Sequence, residues 1–407
     1  MTSHLTAVLV AAATAGAAST GCARPAASSA HASDTLYIGV AAARGSLAYF
    51  RGAQLALDRF NGDRPTGSPP LALRLPPDSQ PSQVSIAARF RDDPSVVGVV
   101  GHTGSAQTMD AAPVYGDVEN GGRNGVVAIT PTATNPEVTR VSQWIFRVCP
   151  TDEDAARALA HFAIDSLRAR RVAIVYRNDL FGRGFTRTIA PELGARSVAI
   201  IERDPYLTGI TEYQAYAARI ARGGADAIIF AGGGTDAADL VRALHALGIN
   251  AAILGTDDVG NILDGVKTME PAPNRQQANV AANRRPTARD RQPVAAPTDD
   301  RELFRGVRFT AFYDPARAST DEERYFAAEY RRRYGQAPTH QAALSYDAAM
   351  LISHAVSAVG RDRRRIRDWI ASVGRDAPAQ RGITGEIRFD DHGDALGKAV
   401  LIGTIRP

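Results

Sequence analysis

The 407-residue sequence predicts an α/β fold of two doubly wound parallel-sheet lobes joined by a multi-strand hinge. Three observations carry that expectation. From residue 36 onward, short apolar runs alternate with amphipathic stretches. The apolar runs lack strict polar alternation, which marks strands covered on both faces by helices. The alternation comes as two series of similar size, followed by a helical tail too thin to form a core of its own.

By residue number, the first series reads as strand 36–40, helix 47–61, strand 71–75, helix 82–90, strand 96–100, helix 105–117, and strands 126–129 and 144–148. Leu55, Leu57 and Phe60 supply apolar positions of its first helix. The second series opens at Thr151, a hydroxyl placed to cap helix 153–167. It continues with strand 172–176, helix 181–193, strand 198–201, helix 213–221, strand 227–230, helix 236–247 and strand 251–254. At about 270–300 the periodicity gives way to Asn, Gln, Arg, Pro and Ala, as in Arg284-Arg285-Pro286, and a disordered insertion is expected. Order returns at 307–312. Helices 322–334, 341–359 and 363–373 follow, then a strand-like 386–389, a turn at 390–394 and a closing strand 399–405.

The tail helices must pack back on the first lobe, so the chain is expected to cross between lobes near 148–151, 309–314 and 382–387. Lobe 1 would take 35–149 and about 314–384; lobe 2 would take 150–313 and about 385–407. Several crossings make a hinge, and a hinge between two lobes suits a ligand cleft that closes.

Composition narrows the class. A chain that is 44% hydrophobic and 22% charged is neither a polytopic membrane protein nor disordered over most of its length. The net charge of +4 comes almost wholly from arginine, Lys267 and Lys398 being the lysines. The cations are scattered and no basic stripe is interleaved with aromatics, so no nucleic-acid partner is expected. Two cysteines, Cys22 and Cys149, cannot build a disulfide framework or a structural zinc cluster, and neither metal nor cofactor is expected.

Residues 5–18 form a small apolar run of signal-peptide length, too short for a comfortable membrane span. Ser19-Thr20-Gly21-Cys22 and an Ala/Ser/Pro tether follow, a pattern that resembles a bacterial lipoprotein signal. Residues 1–34 are therefore expected to be signal and tether, with Cys22 acylated and the chain anchored to the outer face of the cytoplasmic membrane. The alternative is a plain secretory signal cut near Ala30 or Ala32, leaving a soluble exported protein. Cys149 then remains as a lone thiol at the end of an apolar strand, where it is expected to be buried.

Enzyme signatures are missing: no Gly-x-Ser-x-Gly elbow, no Walker loop and no His-Glu-x-x-His occur. His102 lies near Ser105 with nothing to orient it as a base. Gly232-Gly233-Gly234-Thr235-Asp236-Ala237 fits the G-x-G-x-x-A dinucleotide turn, but it follows a late strand rather than the first strand of a nucleotide-binding half.

Two other strand-end turns are more informative. Gly101-His102-Thr103-Gly104-Ser105-Ala106 leads into a helix, where the Ser105 hydroxyl beside unpaired helix N–H groups can hold a carboxylate, or can simply be an N-cap. Thr130-Pro131-Thr132-Ala133-Thr134-Asn135-Pro136 is a rigid polar turn whose carbonyls and Thr134 hydroxyl suit an ammonium group, or which is an ordinary Asn-Pro loop. Both lie at strand carboxyl ends, where doubly wound sheets bind ligands.

These segments are joined by Phe146-Arg147-Val148-Cys149-Pro150-Thr151-Asp152, Phe181-Gly182-Arg183-Gly184, Gly255-Thr256-Asp257-Asp258, Tyr346-Asp347-Ala348 and Gly385-Glu386-Ile387-Arg388-Phe389-Asp390. In order and spacing the set resembles the Leu/Ile/Val-binding family of type I periplasmic solute-binding proteins, over 36–405 apart from the insertion. The resemblance implies a non-enzymatic two-lobed receptor that captures an amino acid, amide or related small polar metabolite for an ABC permease. It implies that Ser105 with Ala106, and the turn carrying Thr132 and Thr134, grip the α-carboxylate and α-ammonium. Phe181 would cover the ligand from the other lobe, Asp257 would pair with the ammonium, and Asp152 and Gly234 would complete the lining.

The family pattern is departed from at four places. The first loop, 41–46, is shorter; Gly234 stands where branched-chain binders have a large aromatic; Phe181 replaces a tyrosine; and Asp257 replaces a glutamate. An altered and wider side-chain pocket is expected. Two other functions fit the sequence: a ligand-sensing domain of the same fold without transport, and a nucleotide-dependent enzyme using the Gly232–Ala237 turn.

Overall fold

The computed structural model describes residues 35–43, 45–76, 82–209, 211–263 and 300–406. The expected export segment with Cys22, and the insertion as far as residue 299, lie outside the described residues.

The first sheet is built from β1 (Leu36–Ala41), β2 (Leu71–Arg74), β3 (Val96–Gly101), β4 (Ala128–Thr130) and β5 (Ile145–Arg147), in the order β2-β1-β3-β4-β5 with every pairing parallel. Helices α1 (Leu47–Gly62), α2 (Gln83–Asp92) and α3 (Ser105–Tyr115) connect its strands. Strand β3 reads Val-Val-Gly-Val-Val-Gly and is buried at every position, as a strand covered on both faces must be.

Thr151 then caps α4 (Asp152–His161) in a full capping box with Asp154, and the chain enters the second unit. Here β6 (Arg171–Arg177), α5 (Leu180–Ala195), β7 (Ala199–Tyr206), α6 (Tyr213–Gly223), β8 (Ala227–Ala231), α7 (Gly234–Ala246), β9 (Ala252–Gly255) and β10 (Arg308–Ala311) follow in order. Their strands pair in parallel as β10-β9-β8-β6-β7. The tail supplies α8 (Asp321–Tyr334), α9 (His340–Val359), α10 (Arg363–Ser372) and a hairpin of β11 (Gln380–Gly382) and β12 (Gly385–Ile387). Finally β13 (Leu401–Thr404) adds antiparallel to β10.

The tail helices do return to the first sheet. Leu55 and Phe60 of α1, Phe326 of α8, Leu344 and Ile352 of α9 and Ile370 of α10 share one core on one face of that sheet. Phe90 of α2 and Tyr115 of α3 pack on the other face. The second sheet lies between a core containing Ile220 of α6 and Leu240 of α7 and another containing Leu159 of α4 and Phe185 of α5. Helix α9 is long and apolar enough to cross a membrane, yet 72% of its apolar window is buried as the central helix of the first core.

The last crossing differs from expectation. The segment expected to enter lobe 2 at about 385 stays with the first core, where Ile387, Phe389 and Ala395 are buried, and the rings of Phe389 and Phe146 meet edge to face at 5.2 Å. Only β13 joins the second sheet. A buried anchor holds this segment: Asp347 of α9 accepts the backbone N–H groups of Ile383 (2.7 Å) and Thr384 (3.0 Å), and the Lys398 Nζ donates to Thr384 Oγ1 at 2.8 Å. Burial raises the Asp347 pKa and lowers that of Lys398. Cys149 is buried as expected; its thiol points at the Ala133 carbonyl, and burial pushes it up to about 12.

Helices α1 and α9 touch through backbone at Gly52, where an added Cβ would lie 2.0 Å from the Ala342 carbonyl oxygen. Gly52→Ala must therefore push two core helices apart. It is expected to lower stability by about 1–3 kcal/mol, read as a fall in melting temperature relative to the unsubstituted protein.

Candidate functional site

The loops after β1, β3 and β4 of the first sheet and those after β6 and β9 of the second open on one cleft of about 1020 Å³. In each sheet the order reverses beside β1 or β6, so these loops diverge and leave a crevice at the strand carboxyl ends. Ser105, Ala106, Thr132, Thr134, Phe181 and Asp257 all line it.

The first-sheet wall is built to receive negative charge. Gly104 is the N-cap of α3, so Ser105 is its first helical residue rather than a cap. The first helical donor is the Thr108 N–H, to Gly104, which leaves the three N–H groups before it without helical partners. The Asn135 N–H donates to Ser105 Oγ at 3.3 Å, so the serine proton is free to point into the cleft. Thr132 is engaged differently: its hydroxyl donates to the Thr103 carbonyl (2.7 Å) and meets the Tyr49 hydroxyl (3.0 Å). That hydroxyl serves to hold three strand-end loops together.

The turn between Ala133 and Pro136 is held from beneath by Arg147, which is fully buried. Its guanidinium donates to the carbonyls of Ala133 (3.2 Å), Asn135 (2.8 Å) and Pro136 (3.4 Å), and its Nε to Asp394 Oδ1 at 2.6 Å.

The second-sheet wall is acidic. Asp257 and Asp258 sit on the short helical turn Asp257–Asn261 after β9. Asp257 Oδ2 stands 3.6 Å from His340 Nε2 at the start of α9. Burial, then the neighbouring Asp257, push Asp258 up to about 6. Beside them Asp179 caps α5 through the Gly182 N–H and binds the Arg177 Nε at 2.5 Å, while the Arg177 guanidinium lies 5.5 Å from the Phe181 ring.

Two expected lining residues lie elsewhere. Asp152 is buried behind the Thr134 turn, its N–H donating to the Thr134 carbonyl at 2.8 Å, and it does not line the cleft. Burial pushes its carboxyl up to about 7, only partly offset by the nearby Thr134 hydroxyl. Gly234 opens α7 against the backbone of residues 261 and 262, 2.8 Å from where its Cβ would be. The cleft therefore gains no width at Gly234, because the chain after Asp257 fills that space.

The Gly-rich turn offers no phosphate niche. The Tyr206 hydroxyl would lie 1.8 Å from a Cβ on Gly232 and accepts the Gly233 N–H, and the Asp236 carboxylate at the helix start accepts from Tyr213 and Thr208. An anion would meet that buried carboxylate and a filled turn. His102 is likewise structural, bonded to Gln83 and Tyr115 and lowered by burial to about 3.

Several lining residues escaped the sequence reading. Tyr49 and Arg51 come from the first turns of α1, which begins almost at once after the short first loop. Gln336, Thr339 and Gln341 come from the approach to α9, and Asp258 and Asn261 from the turn after β9. A polar side chain in the first turn of a helix that follows a switch-point strand is the only signal the sequence carries for the first pair.

Comparison with known proteins agrees with this architecture. A family described as "Periplasmic binding protein" matches residues 38–402. An "Amino acid binding protein" of Pseudomonas aeruginosa is 29% identical over 214 residues, 52% of this chain and 56% of its own length. The chain thus spans little more than half the length of such curated relatives. A leucine-binding protein of Thermotoga maritima superposes with a TM-score of 0.72 at 24% identity, covering 91% of this chain and 95% of that one. A solute-binding protein of Rhodopseudomonas palustris in complex with 3,4-dihydroxybenzoic acid gives 0.69 at 16%, covering 91% and 93%. At these identities the likenesses fix the fold.

Arg147→Lys keeps the charge but cannot reach all four acceptors. A loss of about 2–4 kcal/mol in chemical denaturation is expected, together with weaker ligand capture as the Thr134 turn loosens. An acid raised in the folded state holds more protons folded than unfolded, here between about pH 4 and its folded value. Asp152 therefore lowers stability as pH rises from about 4 to about 7. In melting curves at pH 5 and pH 8, Asp152→Asn is expected to shrink that fall, leaving the contributions of the other raised acids, Asp258 and Asp347.

Proposed function

The chain belongs to the periplasmic binding protein family, and from that premise we propose that its cleft captures an amino acid or closely related small polar metabolite for delivery to an ABC permease. The observation that carries this reading is the opposition of the two walls. Ser105 and the α3 N-terminus offer donors to a carboxylate, and Asp257 on the facing wall offers a counter-charge to an ammonium. A zwitterion leaves water only when both of its charges find partners, and few other small solutes need both. Asp257 and Ser105 belong to different sheets, so a ligand bridging them favours approach of the two walls over separation. Export, and a lipid anchor at Cys22, belong to the same proposal and follow from the N-terminal sequence pattern.

Isothermal titration against a panel of amino acids and their amides tests the reading. At least one member should bind. Asp257→Ala should then weaken binding by about 30-fold or more, through loss of a buried charge partner. Ser105→Ala should weaken it by about 5- to 100-fold. A panel without a single binder, or variants that bind like the unsubstituted protein, would remove the proposal.

A further inference from the structure

We propose that the ligand carries, beyond its zwitterionic head, a second cationic or amide-type hydrogen-bond donor, read by Asp258 and by Gln341 at the start of α9. This rests on the zwitterion reading above and names its side-chain class.

The charges of the cleft lead there. Asp179 neutralises Arg177 at 2.5 Å, and Arg51 lies over the Tyr334 ring at 4.6 Å, on the α1 side. Asp257 answers the ammonium of the head group. Asp258 has no hydrogen bond or ion pair of its own among the described residues; Asp257 beside it raises its pKa, and Arg177 and His340 offset that only in part. After burial, the Asp258 charge is also the largest cause of the raised pKa of Tyr49, so its field reaches the opposite, α1 wall.

An independent observation comes from α9. Gln341 lines the cleft with only 5% of its surface exposed, and its Oε1 is buried without a hydrogen-bond partner. A buried acceptor left unmade is costly, and because Gln341 lines the cleft a donor on the ligand can supply the missing partner. His340, its neighbour in the chain, stands 3.6 Å from Asp257, the neighbour of Asp258, and both Gln341 and Asp258 line the cleft. Each carries an acceptor without a donor, the Asp258 carboxylate and the Gln341 Oε1, while the Gln341 Nε2 remains a donor.

The apolar side chains of the lining are Leu47, Ala48, Ala106, Phe181 and Ala337 with the Tyr49 ring, and Leu47 is half exposed at the edge. A branched aliphatic side chain would bury little apolar surface while stripping water from Asp258 and Gln341. An ammonium, guanidinium or carboxamide would instead meet two acceptors that lack donors. A side-chain carboxylate would meet Asp258 with its own sign.

Titration calorimetry of the full chain with L-arginine, L-ornithine, L-glutamine, L-leucine and L-glutamate decides the matter. Arginine or ornithine should bind at least about tenfold tighter than leucine, one bidentate or charge-assisted contact being worth about that much, with glutamate weakest. Asp258→Asn should narrow the gap between arginine and leucine to about threefold or less, chiefly by weakening arginine. Gln341→Leu should narrow it from the other side by improving leucine. Leucine or glutamate binding as tightly as arginine, ornithine and glutamine would overturn this inference and leave the zwitterion reading standing. Failure of all five, with another member of the amino-acid and amide panel binding, would overturn this inference alone; a panel without a binder would overturn both.

Discussion

Arg147 is the interaction on which the site depends. A guanidinium with no exposed surface is tolerated only when its donors are satisfied, and this one is satisfied entirely by groups that matter to the cleft. Three of its acceptors are carbonyls of the turn that carries Thr134 into the cleft, and the fourth is Asp394 in the segment that crosses back toward the second sheet. The backbone N–H of Arg147 also donates to Gly393, and Thr139 adds a hydroxyl to the same Asp394 oxygen. A strand end, a binding turn and a crossing segment are thereby one hydrogen-bonded body. The turn keeps its shape without help from a ligand, which is the condition for selective capture at low ordering cost.

From that fixed floor the two walls acquire opposite character by ordinary means. The first wall is positive because a helix begins there, and the Ser105 hydroxyl extends it. The second is negative because one short turn after β9 places two aspartates side by side. Arg177, held by Asp179, offsets them only in part. The Gly-rich turn after β8 could have supplied an anion niche on that side, but Tyr206 and Asp236 fill it. The acidic turn is left to set the sign of the wall.

The strands, the helices and the return of the tail were legible because each rests on local periodicity or on the need of an amphipathic helix for a core. Ser105 and Thr134 were legible because each falls within a few residues of a strand end, and Asp257 only through the family resemblance. What escaped depends on distant chain. Tyr49 and Arg51 look like any polar positions on an amphipathic helix, and only the shortness of the loop before α1 brings them to the cleft. Gly234 looks open until the backbone of 261 and 262 is folded over it. Asp152 follows Thr151 into a helix in plain view, yet its burial behind the cleft depends on how Thr134 and Gly184 close around it. Strand β7 runs to Tyr206, beyond the 198–201 expected, because Arg203 and Asp204 lie on an edge strand where polar side chains still reach water.

The acidic turn also links occupancy to conformation. Two adjacent carboxylates in a partly desolvated cleft repel each other, and the raised pKa of Asp258 records that repulsion together with its burial. Bringing the first wall closer would remove more water and raise that cost, unless positive charge enters at the same time. On the proposed reading, a ligand that brings positive charge favours closure by an amount equal to its differential affinity for the two arrangements. His340 and Gln341 stand where that difference is felt, since α9 is packed into the first core while its first residues face Asp257 across the cleft. The helix that completes the first core is thus also the one that meets the charge of the second wall.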